Sequence, residues 1–195
     1  VYSRLPFDEQ EICYLVENDV PSIHVSLKLR TGDRVQAHFL HPAPPSPTEN
    51  TASTERDAEL ITVARRIAET SVPVIVTGDL NDVAWSATTR LFRKISGLLD
   101  PRVGRGMFNT FHADHFCLRW PLDHLFHSAH FTLKSIRRLP SIGSDHFPLF
   151  TTLVFTPGDG KDQAAPKPDQ EDRAIAQEIS NKMDVQPKDV PQPLH

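Results

Sequence analysis

A short apolar run at residues 72–77 restricts the possible folds of this chain more than any other feature. The run reads Val-Pro-Val-Ile-Val-Thr and has no polar face, and a Gly-Asp turn follows it directly. A strand without polar alternation has to be covered on both sides. We therefore predict that residues 72–77 form a buried strand in a layered sheet.

The segments around this run alternate between strand-like and helix-like patterns. Residues 21–30 and 34–40 alternate apolar and polar side chains on either side of Thr31-Gly32-Asp33, which predicts a hairpin. Helical spacing of apolar residues spans 54–70 and, more weakly, 86–95. Later strands are expected at 122–127, 130–136 and 147–155. This order of elements predicts a layered α/β (α+β) domain.

Composition limits the class of protein. The chain has 195 residues, 38% of them hydrophobic, and a net charge of −4, which is ordinary for a globular domain. No run approaches the roughly 18 to 20 apolar residues that cross a bilayer. Residues 1–156 carry 16 basic and 17 acidic side chains, a balance that argues against strong non-specific binding to long nucleic acids. Two cysteines, Cys13 and Cys117, exclude a disulfide-rich scaffold but leave open whether they pair.

The last 39 residues differ from the rest of the chain. Residues 157–195 contain no Phe, Trp or Tyr and hold six of the 17 prolines. Such a segment buries too little apolar surface to offset the entropy of ordering it. We therefore predict one domain over residues 1–156 and a disordered or loosely attached tail over 157–195, with at most a turn or two of helix around 171–182.

Three polar segments lie beside predicted strands. Gly78-Asp79-Leu80-Asn81 follows the buried strand, Asp123 begins the strand at 122–127, and Ser144-Asp145-His146 precedes the last strand. Each has an ordinary structural explanation: an Asx-rich turn, an Asp facing water and a surface loop, respectively. Polar side chains at strand ends of a layered sheet, however, commonly line a ligand crevice.

Taken together and in this order, the three segments resemble the endonuclease/exonuclease/phosphatase family, the deoxyribonuclease I-like four-layer α/β sandwiches. The family pattern is a GD-x-N motif, a D-x-x-F strand and an SDH motif, which correspond here to residues 78–81, 123–126 and 144–146. Ser3-Arg4-Leu5-Pro6 is similar to the family's S-R/K-x-P strand start, and His41 lies where many members carry a first active-site histidine. The resemblance covers residues 1–155.

One family element has no counterpart in this chain. Family members carry an Asn and then a metal-binding Glu upstream of the S-R/K-x-P strand, whereas Glu9 and Glu11 follow it. The resemblance therefore implies that this chain is the C-terminal portion of a catalytic domain whose N-terminal part is missing. A membrane segment before that part is a further expectation, because some bacterial members have one.

The resemblance implies a divalent-metal-dependent phosphoester (phosphodiester) hydrolase and assigns each role to a residue. Asp79 would orient and deprotonate the attacking water, and Asn81 would hold that water or the phosphate. His146 would contact a phosphate oxygen and be held by Asp123, while His41 would supply a second phosphate contact. An Asp next to an imidazole favours the cation, which suits an anionic transition state.

The resemblance also implies a cofactor and a substrate class. Asp145 would bind Mg²⁺ together with the missing Glu, with Asp79 and Asn81 as further oxygen donors and Mn²⁺ as a possible substitute. Arg119 and Trp120 lie where the family contacts its substrate. That substrate is a phosphoester, whether in nucleic acid, a lipid headgroup or a small phosphate, and the sequence indicates no obligate protein partner.

Competing interpretations remain open at this point. The missing Glu leaves a catalytically inactive or non-catalytic binding module on the same scaffold as the alternative. His112 and His115 are dense enough for a zinc site, although His124, His127 and His130 alternate faces along a strand. Basic residues outnumber acidic ones between 90 and 138, which fits either a phosphate-attracting surface or a scattered solvated face. Trp85 fits either a substrate contact or packing.

Overall fold

The computed structural model describes residues 1–44, 50–115, 117–158 and 163–192. Three α-helices and seven β-strands lie within them, followed by a short 3₁₀ helix at Pro187–Asp189. The helices are α1 (Asn50–Ala68), α2 (Ala87–Ser96) and α3 (Gln170–Lys182). The strands are β1 (Phe7–Cys13), β2 (Ser22–Lys28), β3 (Arg34–Phe39), β4 (Val74–Asp79), β5 (Asp123–His127), β6 (Phe131–Arg138) and β7 (Leu149–Phe155).

A five-stranded sheet in the order β1-β2-β3-β4-β5 forms the centre of the fold, and β6 and β7 pair as a second sheet. Strands β3 and β4 run parallel, joined by the crossover through α1, and the other neighbours are antiparallel. The predicted hairpin and the predicted α/β layering are confirmed. In the register between β4 and β5, Asp79 lies opposite Asp123, so the sheet itself brings two of the predicted site residues together.

The apolar run at the centre of the sheet is buried mainly on one face. Val74 and Val76 are 1% and 0% exposed and join the main core, whereas Ile75 and Thr77, which alternate with them, are partly buried. The strand also starts later and ends later than residues 72–77, because β5 continues to pair with it through Gly78 and Asp79. The carboxylate predicted to follow the strand therefore lies within it.

The helices and the central sheet enclose a single main core. Helix α2 begins at its N-cap Ser86, whose hydroxyl accepts the Thr89 N–H, and ends at Gly97 with φ of 68°. This helix places Phe92 against Phe126 of β5, with ring centroids 5.1 Å apart. The apolar core residues from α1, β4, α2 and β5 include Leu60, Ile61, Val63, Ala64, Ile67, Val74, Val76, Leu91, Phe92, Ile95 and Phe126.

One face of the hairpin strands is polar although it is buried. Ser22, His24 and His38 are 0 to 1% exposed. The Nδ1 atoms of His24 and His38 are 2.6 Å apart, and His24 Nε2 lies 2.9 Å from the Ser22 hydroxyl. Burial lowers the pKa of His24 to about 4 and, with the charge of His24, that of His38 to about 3. Both imidazoles are therefore neutral near pH 7, and one donates to the other.

The prediction of a disordered or loosely attached tail is wrong for the segment that contains α3. Asp169 caps this helix in a capping box with Asp172, and Ala176 and Ser180 are buried on it. Thr62 of α1 donates to the Ser180 hydroxyl over 3.2 Å, and Val190 is completely buried. Small and aliphatic residues, rather than aromatic ones, make this contact, so composition did not reveal it. Residues 159–162 and 193–195 of the predicted tail lie outside the described residues.

Two questions that composition left open have direct answers in the structure. Cys13 and Cys117 are both free thiols and do not form a disulfide with each other. Among the described residues, no helix has both the length and the apolar character needed to cross a membrane.

Candidate active site

Gly78 allows the ends of β3 and β4 to lie in direct contact. It has a φ of 153°, and a Cβ atom at this position would overlap the carbonyl oxygen of Leu40. The Leu40 N–H donates to Thr77 O over 3.1 Å at the same place. This close approach brings His41, which follows β3, to Asp79, with 3.8 Å between His41 Nε2 and Asp79 Oδ2.

Asn81 fixes the turn after β4. It has a φ of 49°, a left-handed conformation that Asn tolerates better than most residues. Its N–H donates to Asp79 Oδ1 over 2.9 Å, and its side-chain amide donates to Pro42 O over 2.9 Å. The Arg56 guanidinium donates to Asn81 O over 2.8 Å. Asn81 thus joins the segment after β3 to the segment after β4, and uses one of its two amide hydrogens in doing so.

His146 lies between the two paired carboxylates. Its Nδ1–H donates to Asp123 Oδ2 over 2.7 Å, and its Nε2 lies 3.6 Å from Asp79 Oδ2. The loop that holds it is anchored to the sheet, because Thr110 O accepts the Phe147 N–H and the Thr110 hydroxyl accepts the Asp123 N–H over 3.3 Å. One imidazole nitrogen is therefore fixed by Asp123, and the other faces Asp79.

The environment shifts the pKa values of two members of this group. Burial raises the pKa of Asp79, assisted by the charge of Asp123 and opposed by the Asn81 N–H and the two histidines. Burial alone would lower the pKa of His146. The hydrogen bond to Asp123, with the charges of Asp123, Asp79 and Asp145, outweighs burial and raises this pKa above its ordinary value. The site thus favours a protonated imidazole next to a comparatively basic carboxylate.

His41 and Asp145 lie at the edge of this group. The His41 side chain is 70% exposed, and its Nε2 lies 3.8 Å from Asp79 Oδ2. Asp145 is exposed, and its backbone oxygen accepts the Ala113 N–H over 2.6 Å, which fixes the loop before His146. Asp145 acts on His146 through its charge rather than through a contact.

The donor atoms in this region suit Mg²⁺ by their chemistry but do not form a complete site. Asp79, Asp123 and Asp145 offer carboxylate oxygens, which hard divalent ions prefer. Within residues 1–44, 50–115, 117–158 and 163–192, however, no group of three or more His, Cys, Asp or Glu side chains could hold a metal ion. The described residues therefore do not fit a bound ion by themselves. The same result gives the alternative zinc site at His112 and His115 no support.

Arg119 and Trp120 are consecutive residues in the segment that pairs with Phe111, next to His146. Phe111 pairs with both Trp120 and His146, so the three segments are adjacent. The Arg119 guanidinium lies 4.9 Å from the centroid of the Phe147 ring and donates to Ala113 O over 3.1 Å, and Trp120 is 38% exposed. Both residues therefore lie close to the loop that holds His146, and their contact with a substrate stays a prediction.

A buried network behind the site was not foreseen from the sequence. Arg102 forms an ion pair with Asp100 at 2.9 Å and donates to His124 Nδ1 over 2.7 Å. His124 Nε2 then donates to Asp82 O over 2.8 Å. Burial, followed by the Arg102 charge, lowers the pKa of His124 to about 3, so this imidazole is neutral and serves as a connector. The Asp100-x-Arg102 spacing is visible in the sequence, but its partner His124 is 22 residues further along.

The sequence model of the Endonuclease/Exonuclease/phosphatase family matches residues 1–146. The chain belongs to this family. Members are typically phosphoester hydrolases, both nucleases and phosphatases. Among curated proteins, none matches the chain.

Solved structures of the family share the fold at low identity. The human Nocturnin catalytic domain with bound sulfate anion is 19% identical, with a TM-score of 0.63 over 78% of this chain and 61% of that one. An endonuclease/exonuclease/phosphatase from Beutenbergia cavernae is 16% identical, with a TM-score of 0.64 over 79% and 46%. TDP2 from D. rerio, complexed with a single strand DNA product, is 18% identical, with a TM-score of 0.61 over 77% and 69%. The chain thus spans about half to two thirds of these structures, and the deoxyribonuclease I-like fold class is confirmed.

Proposed function

We propose that this chain carries the phosphate-binding and water-activating residues of a divalent-metal-dependent phosphodiester hydrolase. The observation that carries the proposal is the position of His146, 2.7 Å from Asp123 and 3.6 Å from Asp79. Three groups from three separate segments of the chain converge there, and they are the residues that the family motifs contain. A phosphoryl group needs a base for the attacking water and positive charge for its oxygens, and these groups supply both.

Asp79 is proposed to take the proton from the attacking water. Burial raises its pKa, so it is a stronger base than an ordinary aspartate. The Asn81 N–H holds Oδ1 at 2.9 Å and leaves Oδ2 as the oxygen that faces His146 and His41. The water would therefore be bound at Oδ2, on the open side of the site.

His146 is proposed to bind a phosphate oxygen through Nε2. Asp123 accepts the Nδ1 proton and raises the pKa, so the imidazolium form persists to higher pH than in an isolated histidine. A cation fixed at this position stabilises the charge that builds up on the phosphoryl oxygens. His41, whose side chain is exposed and whose Nε2 lies 3.8 Å from the same oxygen of Asp79, is proposed as a second phosphate contact.

Dependence on Mg²⁺, with Mn²⁺ as a substitute, is part of the proposal, and Asp145 is the candidate ligand in this chain. An ion of this kind would neutralise phosphoryl charge when bound. Because the described residues do not complete a metal site, no proton transfer above is assigned to it. For the same reason, we expect residues 1–195 alone to bind Mg²⁺ weakly and to hydrolyse phosphodiesters slowly or not at all.

The test is hydrolysis by the full-length protein with Mg²⁺ or Mn²⁺, on DNA, RNA, a simple aryl phosphodiester and a phosphodiester lipid. Asp79→Asn and His146→Ala are each expected to lower kcat/KM about 10²- to 10⁴-fold, the range for loss of a general base or a fixed charge. Asp114→Asn is the matched control, because this carboxylate is 73% exposed. Unchanged rates in both site variants, or no turnover of any substrate, would refute the proposal.

The alternative function is a binding module that uses the same scaffold without catalysis. It is favoured by one observation, the lack of a three-ligand metal group among the described residues. If the full-length protein keeps its biological role when Asp79→Asn and His146→Ala are combined, the binding function is correct. If the role is lost while the protein remains folded, catalysis is supported.

A further inference from the structure

A cleft of about 560 Å³ lies between the start of α2 and the loop of residues 100–107, on the helix side of the central sheet. Its apolar wall consists of Trp85, Val103 and Met107, which are 47%, 58% and 47% exposed. Exposed apolar side chains collected in a concave surface are characteristic of a ligand site rather than of ordinary protein surface. We call this feature the Trp85 cleft.

The polar side of the Trp85 cleft is cationic. Arg93, Arg102 and Arg105 line it together with one carboxylate, Asp100, and Arg102 already neutralises that carboxylate at 2.9 Å. The Nε atom of Arg93 is buried, and it has no hydrogen-bond partner in the described part of the chain. A buried donor without an acceptor is costly, so a ligand with an acceptor oxygen at this position would be stabilised.

Arg102, which lines the Trp85 cleft, is hydrogen-bonded to residues behind the candidate active site. Arg102 donates to Asp123 O over 3.4 Å and to His124 over 2.7 Å, and His124 donates to Asp82 O. Asp123 is the residue that holds His146, and Asp82 lies three positions after Asp79 in the turn that leads to Trp85. The Trp85 cleft and the candidate active site are therefore linked through hydrogen bonds of Arg102 and His124.

We propose that the Trp85 cleft is a subsite for a planar aromatic ring of the substrate, of the kind that a nucleotide carries. The ring would stack on the Trp85 indole, and an oxygen acceptor of the same ligand would accept from Arg93. An apolar chain would use the wall but leave Arg93 without an acceptor, so the cleft favours a ring with polar edges. This inference rests on the proposed function, because that function is what assigns the ring and the scissile phosphate to one substrate.

The test compares the affinities of the full-length protein for adenosine 5′-monophosphate, ribose 5-phosphate and inorganic phosphate by calorimetry without metal. The contribution of the ring is the ratio of the first two affinities. We expect this ratio to be about fivefold or more, since base stacking on an aromatic side chain is worth at least about 1 kcal/mol. Trp85→Ala should bring the ratio close to one, and Arg93→Gln should weaken binding of the nucleotide about tenfold.

Two matched controls lie outside the Trp85 cleft. Tyr14→Ala removes an aromatic side chain that is 55% exposed, and Arg90→Gln removes an exposed arginine from the same helix as Arg93. Both should leave the ratio unchanged. Thermal unfolding of every variant identifies any that is misfolded, and Trp85→Phe, which keeps an aromatic face, should retain most of the ratio.

The outcomes separate this inference from the proposed function. Asp79→Asn should abolish hydrolysis and keep the preference for the nucleotide, because the ring does not contact Asp79. An affinity ratio near one in the wild type, or an unchanged ratio in Trp85→Ala, would show that the Trp85 cleft does not bind the ring, without affecting the hydrolase proposal. If only Trp120→Ala brings the ratio to one, the ring binds at Trp120 and not in the Trp85 cleft, which would also refute this inference.

Discussion

Glu59 in α1 is a buried acid whose removal should stabilise the protein in a pH-dependent way. The residue is 2% exposed, and its Oε1 has no hydrogen-bond partner within the described ranges. Burial, assisted by the charge of Glu17, raises the pKa of Glu59 to about 7 from 4.5. The unfolded chain therefore releases this proton more readily than the folded protein does.

The magnitude follows from this difference in pKa. A group whose folded-state pKa is raised by burial binds more protons in the folded state, so the free energy of unfolding falls as pH rises from about 4.5 to about 7. At about 1.4 kcal/mol per pKa unit, the loss reaches about 3 kcal/mol above pH 7. Glu59→Gln keeps the side-chain volume but cannot ionise, so it should recover most of this loss at pH 8 and almost none at pH 4.5.

The assay is urea denaturation of the wild type and Glu59→Gln between pH 4.5 and pH 8. Glu69→Gln, directly after the same helix, is the control, since the Glu69 side chain is 52% exposed and forms a surface ion pair with Arg66. We expect the two wild-type and Glu59→Gln curves to converge at low pH and to separate as pH rises. A constant difference between the two curves, or a variant that is less stable than the wild type at pH 8, would show that Glu59 does not ionise at a cost to stability.

Three further predictions concern the sheet and the site. Gly78→Ala should lower the free energy of unfolding by about 2 kcal/mol or more, because the new Cβ atom would overlap Leu40 O and φ is positive. Thermal unfolding measures this loss, and an unchanged melting temperature would contradict the prediction. Burial lowers the pKa values of His24 and His38 from 6.5 to about 4 and about 3, so below pH 6.5 the unfolded state binds more protons than the folded state does. The free energy of unfolding, measured in urea, should therefore fall as pH is lowered from about 6.5 toward 3. Asp123→Asn should lower the pKa of His146 in an NMR titration, because the charge of Asp123 and its hydrogen bond to the imidazole both raise that pKa. An unaltered pKa would contradict this.

The strands and helices that could be predicted from the sequence are those whose apolar pattern lies within a single segment. Alternation along β2 and β3 around Gly32, and helical spacing in α1, identify these elements without knowledge of their partners. Helix α3 could not be found in this way. Its burial depends on Ser180 and Ala176 fitting against α1, more than 100 residues earlier in the chain, and its composition resembles that of a disordered segment.

The site was predictable as a set of residues but not as an arrangement. The motifs around Asp79, Asp123 and His146 come from the family resemblance, and their order along the chain does not reveal the pairing of Asp79 with Asp123 across β4 and β5. The network of Arg102 and His124 was missed because each looks like an ordinary surface or strand residue until the fold brings them together.

Asp123 is proposed to act on the phosphoryl group through His146, while Asp79 activates the attacking water. The decisive experiment is a double-mutant cycle on kcat/KM in the full-length protein, with Asp123→Asn, His146→Ala and the two combined, at constant metal concentration. If Asp123 works by holding and charging the imidazole, adding Asp123→Asn to His146→Ala should change kcat/KM by less than about threefold. If the two losses multiply instead, the carboxylate acts independently of the imidazole, and the proposed role of Asp123 is wrong.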